Sequence, residues 1–311
     1  MAEAVQTKFD VYQHVTDTIL AEIGKGCVPW HQPWTGGRTG LALPKRVTGE
    51  CYRGINVLML WLTASAKGYA SPTWMTYRQA QELGGQVRKG EKSATVVKFG
   101  AIEKEVEDAV TGDADTVKRL YARAYNVFNV DQIDGLAEQW YVRPDPARDL
   151  GTEADPALDA WFALMGVPIE QSDEPSAYYV PAEDRIHMPR IATFESAEAF
   201  YGTLAHEMAH ATKHPTRLDR RHEAKTQKEN YAREEVVAEL AASMVGARLG
   251  IRVQFDQSAA YLESWITAMR EDNRAIIRAA SMAQAAADWM FETAGEPQAL
   301  MDVGGDLQEA A

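Results

Sequence analysis

The sequence predicts an α+β chain folded as two domains, a mixed N-terminal module and a mainly helical C-terminal one. Its 311 residues, 46% of them hydrophobic, suffice for one large core or two ordinary ones. Charge is unevenly divided: eleven basic side chains face three acidic ones between Lys25 and Phe99, a local excess of eight in a chain whose net charge is -13. A sign change of that kind points to two surfaces with different tasks. The third observation is the segment GTLAHEMAHATKH, an apolar-periodic helix that carries His206, Glu207 and His210 as HExxH.

Residues 9–23 place apolar side chains at helical spacing, and Gly24 ends that helix. A loop rich in Gly, Pro and Trp follows, then a short apolar helix over Asn56 to Ser65 and an aromatic run, YASPTWMTYRQAQELGG. SATVVKFG and YARAYNVFNV alternate β-branched or aromatic residues with polar ones and read as strands, with the acidic EKEVEDAVTGDADT between them as a solvated hairpin loop. Periodicity fails in VRPDPARDLGTEAD, so the first domain is drawn as residues 1–142, a linker as 143–155 and the second domain as 156–294. The second domain should hold a helix (Pro156 to Met165), a hairpin (AYYVPAEDRIHMP) and three helical stretches: Ser196 to Thr212, Tyr231 to Leu249 and Ser258 to Phe291. Residues 295–311, Gly-rich and acidic, read as a disordered tail. The start MAEAVQTKFD lacks the pattern of a signal peptide, and no apolar stretch is long enough to span a bilayer. With only Cys27 and Cys51 as thiols, both read as reduced, the expectation is a cytoplasmic protein with no membrane partner.

Residues four apart on a helix lie one above the other, so His206 and His210 can grip one ion while Glu207 stands beside its open position. Such an ion lowers the pKa of bound water towards about 7, and Glu207 suits the role of general base. Zinc is the expected cofactor, with another divalent transition metal such as Mn2+ as the alternative. The third ligand lies downstream among His214, His222, Glu234, Glu235 and Glu239. The helix YAREEVVAELAASMV is apolar almost all round, so a carboxylate at its start is directed inward and needs a cation. EVVAE resembles the ExxAD element of zinc peptidases; that match makes Glu235 the ligand and Glu239 the acceptor for an imidazole N–H. Periodicity alone does not separate Glu235 from Glu234. His214 reads as a helix C-terminal residue meeting the dipole. His187 sits on the hairpin, whose edge strand either aligns an extended peptide or is plain scaffold.

Binding of single-stranded nucleic acid needs cations that follow phosphates and rings on which bases stack. Trp30, Trp34, Tyr52, Trp74 and Tyr77 interleave with Arg38, Lys45, Arg46, Arg53, Arg78, Arg88, Lys89 and Lys92, and Asn56 and Gln79 add hydrogen-bonding groups. Trp61, inside INVLMLWL, reads as core.

Taken together, TGECYRGINVLMLW, GYASPTWMTYRQAQELGGQVRKGEKS, YNVFNVDQIDGL, DRIHMP, FYGTLAHEMAHATKHPTRLDR and YAREEVVAELAASMV resemble the ArdC family of antirestriction proteins of conjugative plasmids and phages. The N-terminal part also resembles that of plasmid-encoded primases. The resemblance implies a non-specific single-stranded-DNA-binding domain joined to a zincin-like, SprT-like metallopeptidase domain. It implies protection of incoming plasmid DNA from host restriction endonucleases, with His206, His210 and Glu235 on the metal and Glu207 as base. Two other readings compete: a DNA-dependent metalloprotease that cleaves a DNA-bound protein or the restriction enzyme, and a non-enzymatic DNA-binding protein with structural zinc.

Overall fold

Helix α1 (Val11–Ile23) starts at Asp10, whose carboxylate accepts from the amides of Tyr12 and Gln13 at 2.9 and 3.2 Å. It is the first element of a computed structural model that describes residues 9–25, 42–107, 114–141, 143–144, 147–222, 226–253 and 259–297. Next come β1 (Lys45–Arg46), α2 (Ile55–Lys67), β2 (Thr73–Met75), α3 (Tyr77–Glu82), β3 (Gln86–Val87), β4 (Ala94–Glu107), β5 (Ala114–Asn129) and β6 (Ile133–Asp134). One sheet runs in the order β1-β2-β5-β4, and β3 pairs with β6. The two long strands form an antiparallel hairpin whose register takes Ala94 opposite Val127 and Glu107 opposite Ala114. Most of the acidic stretch expected as loop is therefore strand. Once the base of a hairpin has formed, each further pair completes backbone hydrogen bonds at little extra loop entropy, and local charge does not stop the ladder.

The C-terminal half opens with α4 (Pro156–Ala163), capped by Asp155 and with proline in its first turn, where no amide is needed. Strands β7 (Ile169–Ser172), β8 (Tyr178–Val180) and β9 (Arg185–Pro189) form a sheet in the order β7-β9-β8, which leaves β8 at an edge. Strand β7 was not anticipated; IEQS is too short and polar to signal itself. Four helices complete the fold: α5 (Ala197–Ala211), α6 (Gln227–Leu249), α7 (Ala259–Glu271) and α8 (Ala275–Ala294). The single stretch expected over Ser258 to Phe291 thus divides at Asp272–Arg274. Asp272 turns its carboxylate back onto the amide of Arg274 at 2.9 Å, and the Asn273 carbonyl accepts from Thr16 on α1 at 2.9 Å. These contacts offer the backbone an alternative to helix.

One apolar cluster runs from α1 and α2 through α5, α6 and α8, so the two halves share buried surface. Gly54, at φ +55° and beside the carbonyl of Ala280, lets α2 start against α8, and its amide donates to Gln284 at 2.9 Å. The segment expected as linker is tied down where described: the Arg148 amide donates to the Gly250 carbonyl at 2.8 Å and the Leu150 amide to Glu198 at 2.7 Å. Of the expected tail, Gly295 accepts from the Trp161 indole at 2.7 Å, and residues 298–311 lie outside the described ones. Among the described residues no helix is long and apolar enough to cross a membrane.

Candidate metal centre

Two helices build the site. Ser196 caps α5, its hydroxyl accepting from the Ala199 amide at 3.2 Å, and the helix carries HExxH along its inner face. Helix α6 starts at Thr226 and is buried on nearly every side from Val236 to Val245; its many alanines let it pack closely on α5 and α8. This packing brings the start of α6 against the histidines.

The Nε2 atoms of His206 and His210 lie 3.1 Å apart. The Glu235 carboxylate closes the triangle, one oxygen 3.4 Å from His206 Nε2 and the other 3.3 Å from His210 Nε2. A tetrahedral ion with bonds of about 2.0–2.1 Å keeps its donors about 3.3 Å apart, so these edges fit a metal. Among the described residues this is the one cluster of three such donors. Periodicity left Glu234 and Glu235 undecided; in the structure it is Glu235 that meets both Nε2 atoms.

Glu234 turns to the other side of His210. Its carboxylate lies 3.5 Å from His210 Nδ1, takes a forked contact from Arg220 at 2.5 and 3.1 Å, and meets His222 Nε2 at 2.6 Å. Arg220 is itself fixed by Thr212 Oγ1 and the Ala209 carbonyl, both at 2.9 Å. Glu239 is buried one turn farther along α6. The carboxylate at His210 Nδ1 is that of Glu234, a role the sequence did not reveal.

Burial by itself would lower the pKa of His210, yet Glu234, Glu235 and Glu207 raise it to about 10. Burial would likewise raise both carboxylates. Instead His210, His222 and Arg220 hold Glu234 far below the usual range, and His206 and His210 do the same for Glu235. A pocket with this much negative charge suits a dication.

A cavity of about 810 Å³ opens beside these groups, lined by Glu207, by Tyr178 and Tyr179 of the edge strand β8, and by Tyr231. Partial desolvation, followed by the charge and hydrogen bond of Glu235, lifts the Tyr231 phenol to about 12, so it remains a donor at neutral pH. Tyr231 escaped the sequence reading; its place one turn before Glu235 was the available signal. His214 and His187 make other contacts. His214 faces Thr216 Oγ1 at 2.8 Å just past α5, and His187 is buried between Ser172 Oγ and the Ser176 carbonyl at 2.7 and 2.9 Å.

Comparison with solved structures gives the antirestriction ArdC protein of plasmid R388 in its metal-free form, 54% identical, with a TM-score of 0.81, covering 93% of this chain and 100% of that one. The chain belongs to the ArdC family. The Mn(II)-bound form of the same R388 protein is 53% identical with a TM-score of 0.78 over the same coverage. Family models match an N-terminal domain of anti-restriction factor ArdC at residues 9–128 and a zincin-like metallopeptidase at 156–282. An uncharacterised protein, y4eC, of Sinorhizobium fredii strain NGR234 is 38% identical over 298 residues, which is 94% of this chain and 95% of that protein. The DNA primase TraC of Escherichia coli is 36% identical over 300 residues, 92% of this chain but only 27% of the primase. This ArdC-family chain thus joins the N-terminal domain of an anti-restriction factor to a zincin-like domain, and its R388 relative has been solved with Mn(II) bound.

Within the ArdC N-terminal domain, the residues chosen from the sequence for nucleic acid divide into three groups. Trp30, Trp34 and Arg38 lie outside the described residues. Several others are committed elsewhere. Trp74 is 1% exposed with its ring edge on Tyr69, and Tyr52 is 6% exposed beneath Arg46. The Asn56 amide is matched to the backbone of Val97 at 2.8 and 2.7 Å, and Gln79 completes a capping box with Thr76. Arg53 and Arg88 are exposed but ion-paired, Arg53 with Asp288 of α8 and Arg88 with Glu91 and Asp134. Trp74 and Tyr52 look interfacial in sequence because rings that hold a small domain together have the same composition as rings that face a strand of DNA. The third group is accessible: Arg46, Tyr77, Arg78, Lys89 and Lys92 are exposed and Lys45 half-buried, with Arg46 and Arg78 held by Glu50 and Glu82. As expected, Trp61 is core.

Proposed function

We propose that this protein binds single-stranded DNA non-specifically through its N-terminal domain and protects entering plasmid DNA from host restriction endonucleases in the recipient cytoplasm. Its second domain holds a divalent metal, zinc or alternatively manganese, on His206, His210 and Glu235. What supports the metal half is the triangle of three donors at tetrahedral spacing beside an open cavity. When bound, the ion supplies a Lewis acid that activates water and polarises a carbonyl. Glu207 takes the water's proton and returns it to the leaving amine. Tyr231 donates to the carbonyl oxygen as negative charge grows there. Protection follows chiefly from coating, because enzymes that read duplex sites act poorly on single strands.

A second reading, cleavage of a DNA-bound protein or of the restriction enzyme, is favoured by β8: its free edge beside the cavity suits an extended peptide added as a further strand. Glu207→Ala separates the two. Coating predicts that the variant still shifts single-stranded DNA and still protects in a transfer assay; loss of protection with intact DNA binding would assign the function to proteolysis. Structural zinc alone fits less well, since such a site fills all four positions with protein atoms and this one offers three among the described residues.

A further inference from the structure

Strand β5 carries RLYARAY over residues 119–125, and the two-residue period of a strand sends Arg119, Tyr121, Arg123 and Tyr125 to one face. The register sets Lys98 of β4 opposite Arg123 and Gly100 opposite Tyr121 on that same face. Tyr121 lies directly over Gly100: a Cβ there would stand 2.5 Å from the ring, so the bare glycine is what lets the phenol lie against the sheet. The Arg123 guanidinium sits 5.4 Å from the Tyr125 ring centre. Arg119, Arg123, Tyr125 and Lys98 are exposed, and none of these cations has an ion-pair partner among the described residues. Neither Ala94 to Ile102 nor Arg119 to Val130 contains an acid, in a chain of net charge -13.

We propose that this face of the β4–β5 hairpin is the platform on which single-stranded nucleic acid lies, phosphates on Lys98, Arg119 and Arg123 and bases on Tyr121 and Tyr125. The assignment rests on the single-strand binding proposed above and gives it a location that the sequence segment from Trp30 to Lys92 did not. Like groups recur every four residues, about 13 Å along the strand, so the face offers a repeat to a polymer rather than a pocket to one group. Every base has a π-face to lay on a ring, so stacking on Tyr121 and Tyr125 carries no sequence preference.

The test uses the full-length protein and a labelled oligothymidylate. Tyr121→Ala with Tyr125→Ala should weaken binding about tenfold or more, whereas Tyr121→Phe with Tyr125→Phe should retain it. Arg119→Ala with Arg123→Ala should flatten the dependence of log affinity on log salt by about 0.7 per lost phosphate contact. Melting temperatures near wild type show that the variants fold. If wild type fails to bind the oligonucleotide, the functional reading falls and this location with it. If wild type binds and the alanine variants match its affinity and salt slope, the location alone is overturned. Polyglutamate competing as well as unlabelled oligothymidylate would overturn nucleic acid as the occupant.

Discussion

The metal centre and the hairpin face are both clusters of charge, built on opposite principles. At the centre the charged groups are buried or half-buried and answered: Glu234 by Arg220, His222 and His210, and Glu235 by two histidines. On the hairpin face Lys98, Arg119 and Arg123 stand exposed, the arginines four residues apart, with no acid from Ala94 to Ile102 or from Arg119 to Val130. Holding one ion demands fixed geometry in a low dielectric, where each charge is costly unless matched. Holding a polymer of phosphates demands accessible charge whose counterions can be released. Substitutions should therefore act on folding and metal affinity in the first region, and on salt-dependent binding alone in the second.

The largest expected effect is at Glu234. Glu234→Ala leaves Arg220 buried without its carboxylate and should cost about 3–5 kcal/mol in chemical denaturation. Glu234→Gln retains the shape, and its effect should appear instead as a 10- to 100-fold loss of metal affinity by calorimetric titration, the usual consequence of removing the group that orients a ligand histidine. Equal affinity in the Gln variant would mean that Glu234 serves the fold and not the metal.

Metal itself comes next. At free metal one hundred times the dissociation constant, wild type should gain about 2.7 kcal/mol of stability, read as a rise in melting temperature that chelator reverses. His210→Ala should abolish the rise, and Lys98→Ala should leave it intact.

Acid gives a smaller effect. A carboxyl whose folded pKa is depressed contributes stability above its unfolded value and loses it as pH falls towards the folded one. Glu234 and Glu235 are of this kind, so the metal-free melting temperature should decline below pH of about 4.5, their ordinary value. The slope should be shallower in Glu234→Gln. At the small end, Lys98→Ala should change stability by no more than about 0.5 kcal/mol, as an exposed substitution does.

The same contrast explains what could be read without coordinates. HExxH was legible because both histidines and the base sit within one turn of one helix, where spacing alone fixes their relation. Glu234 and Glu235 were not separable: neighbours on a helix point about 100° apart, and which one meets the ion depends on how α6 crosses α5. Tyr231 and Arg220 likewise acquire meaning only from that crossing. In the N-terminal half, composition located a basic and aromatic region but could not tell Trp74, which the sheet buries, from a ring offered to solvent. The period-two pattern of RLYARAY was in plain view. Alternation alone defines two faces of the strand, and only the packing of the sheet shows which of them is left open.

Calorimetric titration of the chelator-stripped protein with Mn(II) or Zn(II), beside Glu235→Ala, tests the central claim most directly. Wild type should take up one equivalent, and the variant should bind about a hundredfold more weakly or not at all. No uptake by wild type, or uptake unchanged by loss of Glu235, would contradict the assignment of His206, His210 and Glu235 as a metal centre.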